Sequence, residues 1–241
     1  MQVYGMTDIG RVRAENQDMF ACDRLSDTAV YAVVCDGMGG VGGGKIASNM
    51  TVDTISGRIA SQYRENMPQA SILNLLESAV DAANVVVLDK ALEDVELAGM
   101  GTTLVAAVVD GNYALAVHVG DSRLYMLHDG ILRQVTVDHS VVQEMVEKGQ
   151  ITIEEARCHP RKHFITRAIG VEGNVRPDFE TFELEDGDML LLCTDGLTNM
   201  LTDGEIEAIM QTNAAETLPK ILVETANEKG GEDNITVVVI A

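Results

Sequence analysis

The sequence predicts an α+β fold: a central β-sandwich of two mostly antiparallel sheets, flanked by α-helices on both sides. Three observations predict it. Six short, apolar, β-branched runs are bounded by Gly or Asp, as buried strands are. Asp110-Gly111 and Asp129-Gly130 stand at the ends of such runs, where tight turns join antiparallel neighbours. Two long helical patterns fall between the first run and the second, so strands pair with strands and helices cover the outer faces.

In chain order, the first strand is AVYAVVC (29–35). A helix follows from about Lys45 to Glu65. A second follows Pro68 to about Glu93, with Ile72, Leu75, Leu76, Ala79, Ala83 and Val86 at three-to-four spacing. TTLVAAVVD (102–110), YALAVHV (113–119) and RLYMLHD (123–129) are the next strands, then MLLLC (189–193) and NITVVVIA (234–241). Thr152 with Glu155, and Thr202 with Glu205, have the spacing of capping boxes that open short helices. Pro219 suits the first turn of a last helix and Gly230 the position past its end. Residues 138–168 are polar, helical and locally basic. They read as a flap-like insertion on a single domain spanning 1–241.

A chain of 241 residues with 46% hydrophobic content suits one domain with a sizeable core. Seventeen Lys and Arg against 38 Asp and Glu give a net charge of −21, which argues against nucleic acid or an acidic membrane as partner. The opening MQVYGMTDIG has no basic or apolar leader pattern, and apolar runs such as LVAAVV fall far short of the ~18 residues of a membrane span. The expectation is a cytoplasmic protein. The four cysteines lack CxxC spacing and read as free thiols rather than a zinc site, with Cys35 and Cys193 in buried strands.

The run VVCDGMGGVGGGKIAS (33–48) poses the functional question. Its GMGGVG (37–42) matches the outline of a dinucleotide loop, and GGVGGGK (39–45) most of a phosphate-binding P-loop. Three facts oppose these readings, the first of them the P-loop alone. Ile46 stands where the P-loop needs Ser or Thr, and no strand returns until about residue 102. Asp36, abutting the first glycine, would also repel a pyrophosphate unless a cation intervened. A cation explains more. Asp121 follows the strand ending at Val119, Asp195 follows the one ending at Cys193, Asp233 precedes the last strand, and Asp18 precedes MFAC. Acids at strand ends converge on one sheet edge, and unpaired buried carboxylates require cations. An oxygen-only donor set suits Mg²⁺, Mn²⁺ or Ca²⁺. No EF-hand loop is present. Asp-Gly and Gly-Asp as plain turn formers are the bland alternative at each position.

RVRAENQD, CDGMGG, GMGTTL, VGDSRLY, DHS, ITRAIG, LLCTDGL and GGEDNITVVV occur in the order of the metal-dependent protein Ser/Thr phosphatases. From Met1 to Ala241 the chain resembles this type-2C or PPM family, in its bacterial branch. The resemblance implies a helix-flanked β-sandwich. It implies that Asp36 bridges two ions, Mn²⁺ or Mg²⁺, and that the Gly37 carbonyl, Asp195 and Asp233 complete the ligands. Asp121 with Asp195 resembles the pair that holds a third ion. Asp18 would orient a metal-bound water, and Arg13 resembles the arginine that grips the substrate phosphate. The catalytic set is then Arg13, Asp18 and Asp36. A bridging hydroxide would attack phosphorus directly, without a phosphoenzyme. The glycines would let the backbone turn sharply at the metal.

The chain departs from relatives at three positions. Met38 replaces a histidine of many eukaryotic members, leaving His163, His139 or a metal-bound water to protonate the leaving serine. Gln17 replaces a glutamate, and Lys45 an acid, of other relatives. Arg157, Arg161, Lys162 and Arg167 make 138–168 a basic island, read either as a solvated face or, through Arg161 and Lys162, as a dock for acidic phosphopeptides. The implied partners are phosphorylated proteins, among them a Ser/Thr kinase and its targets. Two other readings stand beside this: a partner-switching phosphatase with one dedicated protein substrate, and a non-catalytic metal-binding partner module.

Overall fold

The computed structural model describes residues 1–40 and 42–241; Val41, within the glycine run, lies outside the described residues. In chain order the elements are β1 (Val3–Asp8), β2 (Asp18–Arg24), β3 (Ala29–Met38), α1 (Gly43–Gln62), α2 (Gln69–Glu93), β4 (Gly101–Thr102), β5 (Leu104–Asp110), β6 (Tyr113–Val119), β7 (Arg123–His128) and β8 (Ile131–Gln134). Then come α3 (Val141–Glu147), α4 (Ile153–Arg157), β9 (Asp178–Glu183), β10 (Met189–Cys193), α5 (Asp195–Thr198), α6 (Asp203–Thr212), α7 (Leu218–Glu228) and β11 (Ile235–Ile240).

The strands form two sheets, β1-β11-β10-β7-β8 and β2-β3-β5-β6-β9, with β4 paired to β3. Their pairings are antiparallel. The period-two alternation of side chains sorts each strand between two layers. In β3, Ala29, Tyr31, Val33 and Cys35 face α1 and α2, while Val30, Ala32 and Val34 pack between the sheets. In β11, Ile235, Val237 and Val239 face α6 and α7, while Val238 and Ile240 join the inter-sheet layer. Three apolar layers therefore stack as helix, sheet, sheet, helix.

Both expected capping boxes are present, at Thr152 with Glu155 and at Thr202 with Glu205. Asp129 and Gly130 both have positive φ, the signature of the tight turn that joins β7 to β8. The expected helix from Lys45 begins instead at Gly43. Its glycines permit an unusually close approach: a Cβ on Gly44 would lie 2.6 Å from the Gly37 carbonyl oxygen, so α1 can start directly against β3. β3 itself runs on through Met38, which carries Asp36 inside the strand rather than beyond its end. Five of the described strands are not among the six expected runs: β1, β2, β4, β8 and β9, with β4 split from the start of TTLVAAVVD and paired to β3. β8 and β9 lie at sheet edges with mostly exposed residues, and so lack the apolar run that marks a buried strand. By length and composition alone α2 could cross a membrane, which the run lengths did not anticipate; here Ile72, Leu76, Ala79, Ala83 and Val87 are buried on the sheet. All four cysteines are free, with Cys35 and Cys193 buried.

Candidate active site

The inter-sheet face turns acidic at one end. Along β3 the series Val30, Ala32, Val34 continues by parity to Asp36. Asp18 is its direct partner on β2. On the opposing sheet, the same parity takes Leu190 and Leu192 to Thr194, and Ile240 and Val238 to Thr236. Buried Asp18 accepts hydrogen bonds through Oδ2 from the Thr194 hydroxyl at 2.8 Å and the Thr236 hydroxyl at 2.7 Å. One carboxylate thus ties the two sheets together where the apolar layer ends.

Beyond this tie opens a cavity of about 570 Å³, lined by Asp36, Gly37, Asp121, Asp195, Asp233 and Arg13, among others. Each of these aspartates comes from a different part of the chain, at or beside a strand end. Each shows part of its surface to the cavity but is otherwise walled by protein. Burial and mutual repulsion raise the pKa values. Asp18 is pushed up to about 7, first by burial. Asp36 rises well above the carboxylate range, by burial and then by Asp18 and Asp195. Asp121 rises by burial and then by Asp195, and Asp195 by burial and then by Asp233.

These residues fit hard divalent cations. The donor set is oxygen only, and Asp195 Oδ1 and Asp18 Oδ1 are buried without hydrogen-bond partners. The carboxylates stand around the cavity rather than closing on one point: among the described residues, no three His, Cys, Asp or Glu side chains form a ready-made ligand cage. Asp233 is drawn aside by Arg13, whose Nη2 donates to its Oδ2 at 2.6 Å. Gly37 lies where only glycine fits, since a Cβ would run into the Gly44 carbonyl and come within 2.6 Å of the Gln17 carbonyl oxygen.

The expected residues divide by position. Arg13, Asp36, Gly37, Asp121, Asp195 and Asp233 share the cavity, and Asp18 underlies it. Gln17, Met38 and His163 also line it. His139 does not: it is buried between Gly120 and Asp178. Lys162 lines an adjoining cavity of about 370 Å³ that shares Asp121 and Asp195 with the first, and its ammonium donates to Asn199 at 3.2 Å. Arg161 lines neither cavity; its guanidinium lies 3.4 Å from Met145 sulfur. Lys45, on the exposed side of α1, pairs with Glu15 at 3.4 Å.

Sequence reasoning missed the polar residues that hold the acids. Thr103 embraces Asp36: its hydroxyl accepts from the Asp36 N–H at 2.9 Å and its own N–H donates to the Asp36 carbonyl at 2.9 Å. Asn234 fixes the loop that carries Arg13, donating to the carbonyls of Ile9 and Glu15 at 2.9 and 3.0 Å and accepting from the Gln17 N–H at 2.8 Å. The only signal was a hydroxyl or amide beside an acid, as Thr194 in CTDG and Asn234 in EDNIT; Thr103, in GMGTTL, has no acid beside it.

Residues 10–229 match the sequence profile of protein phosphatase 2C. The chain belongs to the protein phosphatase 2C family. Within the family it is 38% identical over 240 residues to the serine/threonine phosphatase stp of Listeria innocua, covering 97% of this chain and 93% of that protein. The Streptococcus agalactiae serine/threonine phosphatase superposes with a TM-score of 0.91 at 36% identity, covering 99% of this chain and 98% of that one. The catalytic domain of the serine/threonine phosphatase PstP, solved in complex with two manganese ions, superposes with a TM-score of 0.86 at 34% identity, covering 99% and 96%. The two-sheet, helix-flanked architecture is the one these relatives share.

Proposed function

We propose that this chain removes phosphate from phosphoserine and phosphothreonine in proteins by metal-assisted hydrolysis. The observation that carries the reading is the convergence of four aspartates and one arginine on a single cavity. The relatives named as Ser/Thr phosphatases, one of them holding manganese, support it. Asp36, the Gly37 carbonyl, Asp195 and Asp233 would hold two divalent ions, with Asp121 and Asp195 at a third. When bound, such ions polarise the phosphate and lower the pKa of water to near neutrality.

The chain's own residues supply the rest. Arg13, half-exposed at the cavity mouth, presents a planar fork of donors suited to the phosphate oxygens. Asp18, held by two threonine hydroxyls, presents its free Oδ1 as a fixed acceptor. His163 in the cavity wall is the imidazole available to hand a proton to the leaving serine oxygen. His139 is committed elsewhere. The metal in use is Mn²⁺ or Mg²⁺. The substrates are cytoplasmic phosphoproteins, phosphorylated by a Ser/Thr kinase that this chain opposes. The strongly negative net charge disfavours nucleic acid as a partner.

The test is hydrolysis of p-nitrophenyl phosphate by the chain and its Asp195→Ala variant, with chelator and with added Mn²⁺. Activity should require the ion and fall by about a hundredfold in the variant. Turnover that survives chelation, or a variant as active as the parent, sinks the proposal and returns the chain to a binding role.

A further inference from the structure

The segment 138–168 leaves the sandwich and returns to it at a single junction, and His139 stands at that junction. Two imidazoles grip Gly120, the residue before Asp121. The Gly120 N–H donates to His139 Nδ1 at 3.1 Å. The Gly120 carbonyl accepts from His118 Nε2 at 2.8 Å and from the His139 N–H at 2.8 Å. The two rings lie 4.3 Å apart, tilted by 39°. Since His139 Nδ1 accepts, its proton resides on Nε2, which donates to Asp178 Oδ2 at 3.0 Å. Arg167 Nη1 lies 3.0 Å from the same Nε2 and donates to the other oxygen of Asp178 at 2.8 Å, so the one carboxylate accepts from both donors.

Gly120 itself has no latitude. Its φ is +106°, and a Cβ there would sit 2.7 Å from the Thr103 methyl carbon. The same Thr103 embraces Asp36 and shares a 2.6 Å hydrogen bond with the Ser122 hydroxyl. On the other side, the His139 carbonyl accepts from the Thr166 N–H at 2.8 Å, and Ser140 bridges Ile165. That returning arm presents His163 and Ile165 to the cavity.

We propose that His139 is a positioning residue that locks the Gly120–Asp121 turn to the returning arm, so that the Asp121 carboxylate and the cavity wall formed by His163 and Ile165 keep one fixed register. The inference rests on the functional reading above for its consequence in catalysis, though not for its geometry. His139 acts through Gly120, and touches neither substrate nor ion.

Two substitutions separate its two arms. In His139→Asn the amide oxygen replaces Nδ1, keeping the acceptor for Gly120 and losing Asp178. In His139→Gln the side-chain nitrogen replaces Nε2, keeping Asp178 and losing the acceptor. Hydrogen exchange in the metal-free variants reads the lock directly. His139→Gln should expose the Gly120 amide and speed its exchange at least about tenfold. It should also weaken Mn²⁺ binding at the weakest site, measured by calorimetry without substrate, by about ten- to a hundredfold. His139→Asn should leave both near parent values while the Thr166 amide exchanges faster. Should either variant fail to fold, Asp178→Ala, at a half-exposed side chain, tests the lock from the far end: with no acceptor left for Nε2 the ring loses its anchor, and the Gly120 amide resonance should shift.

Equal behaviour of the Asn and Gln variants, or parent-like Gly120 exchange and Mn²⁺ binding in His139→Gln, overturns the proposal, as does an unmoved Gly120 resonance in Asp178→Ala. A parent chain that bound Mn²⁺ but did not hydrolyse p-nitrophenyl phosphate would overturn the functional reading and leave the Gly120 measurements standing.

Discussion

The Arg13 guanidinium rests on the Asp233 carboxylate, Nη2 to Oδ2 at 2.6 Å, although the two are 220 residues apart in sequence. The pair sits at the cavity mouth, with the arginine side chain 56% exposed. An exposed pair of this kind adds little to stability. Its place matters more, because a cation or an incoming phosphate can each claim one partner. Arg13→Lys keeps the charge and loses the planar fork. It should cost about tenfold in kcat/KM for p-nitrophenyl phosphate, with unfolding midpoints unchanged. Kinetics equal to the parent would remove Arg13 from phosphate binding.

Thr194 and Thr236 form the next link, since each donates to the same buried oxygen of Asp18. Replacing either with Val removes one donor from a carboxylate whose other oxygen is already unpartnered. Each change should destabilise the chain by about 1–3 kcal/mol. The double variant should cost more than the sum, because the first change leaves Oδ2 one donor and the second leaves it none. Urea denaturation of the three variants measures this, and strict additivity would show that the threonines act independently.

Acidity gives a signed prediction for the metal-free protein. Asp18 titrates near 4 when unfolded and is pushed up to about 7 when folded. The folded state therefore holds this proton more tightly. Its stabilising effect is complete below about pH 4 and is lost as pH rises to about 7. His118 works oppositely, because burial lowers its pKa to about 4 and stability is lost as pH falls below the ordinary imidazole value. Comparing the chain with Asp18→Asn isolates the first effect. In chelator, the parent should lose stability relative to the variant between pH 4 and 7, read as the difference in Tm. A difference that is flat or reversed across this window would contradict the assignment.

Lys162 and Arg161 separate the basic island into two roles. Lys162 lines a cavity continuous with the aspartates, whereas Arg161 packs on Met145. Lys162→Glu should raise KM for a phosphopeptide several-fold more than KM for p-nitrophenyl phosphate, and Arg161→Glu should raise neither. Equal effects on both substrates would count against peptide docking.

Much of the fold was legible because buried strands announce themselves. AVYAVVC and MLLLC are apolar on both faces, since one side meets the other sheet and the other meets helices. The edge strands β8 and β9 were not legible, because solvent on their flanks leaves them polar. The aspartates were legible as acids placed at strand ends. Their partners were not: Thr103, Thr194, Thr236 and Asn234 act through contacts 67 to 225 residues away. Residue type gives no hint of which distant backbone a hydroxyl will meet. His139 was visible as a histidine of the DHS motif, but only the fold directs its ring to Gly120 rather than to the cavity.

The acidic end of the inter-sheet layer has one more implication. Asp18, Asp36, Thr194 and Thr236 occupy positions where the alternation would otherwise continue Val34, Leu192 and Val238. Were the two acids replaced by aliphatic residues, the hydrophobic seam would run further and two buried carboxylates would be gone, a stabilising exchange. Activity and robustness thus compete for the same few side chains. A lineage of this domain that no longer needed catalysis would find its easiest stabilising substitutions at the mouth of its own active site.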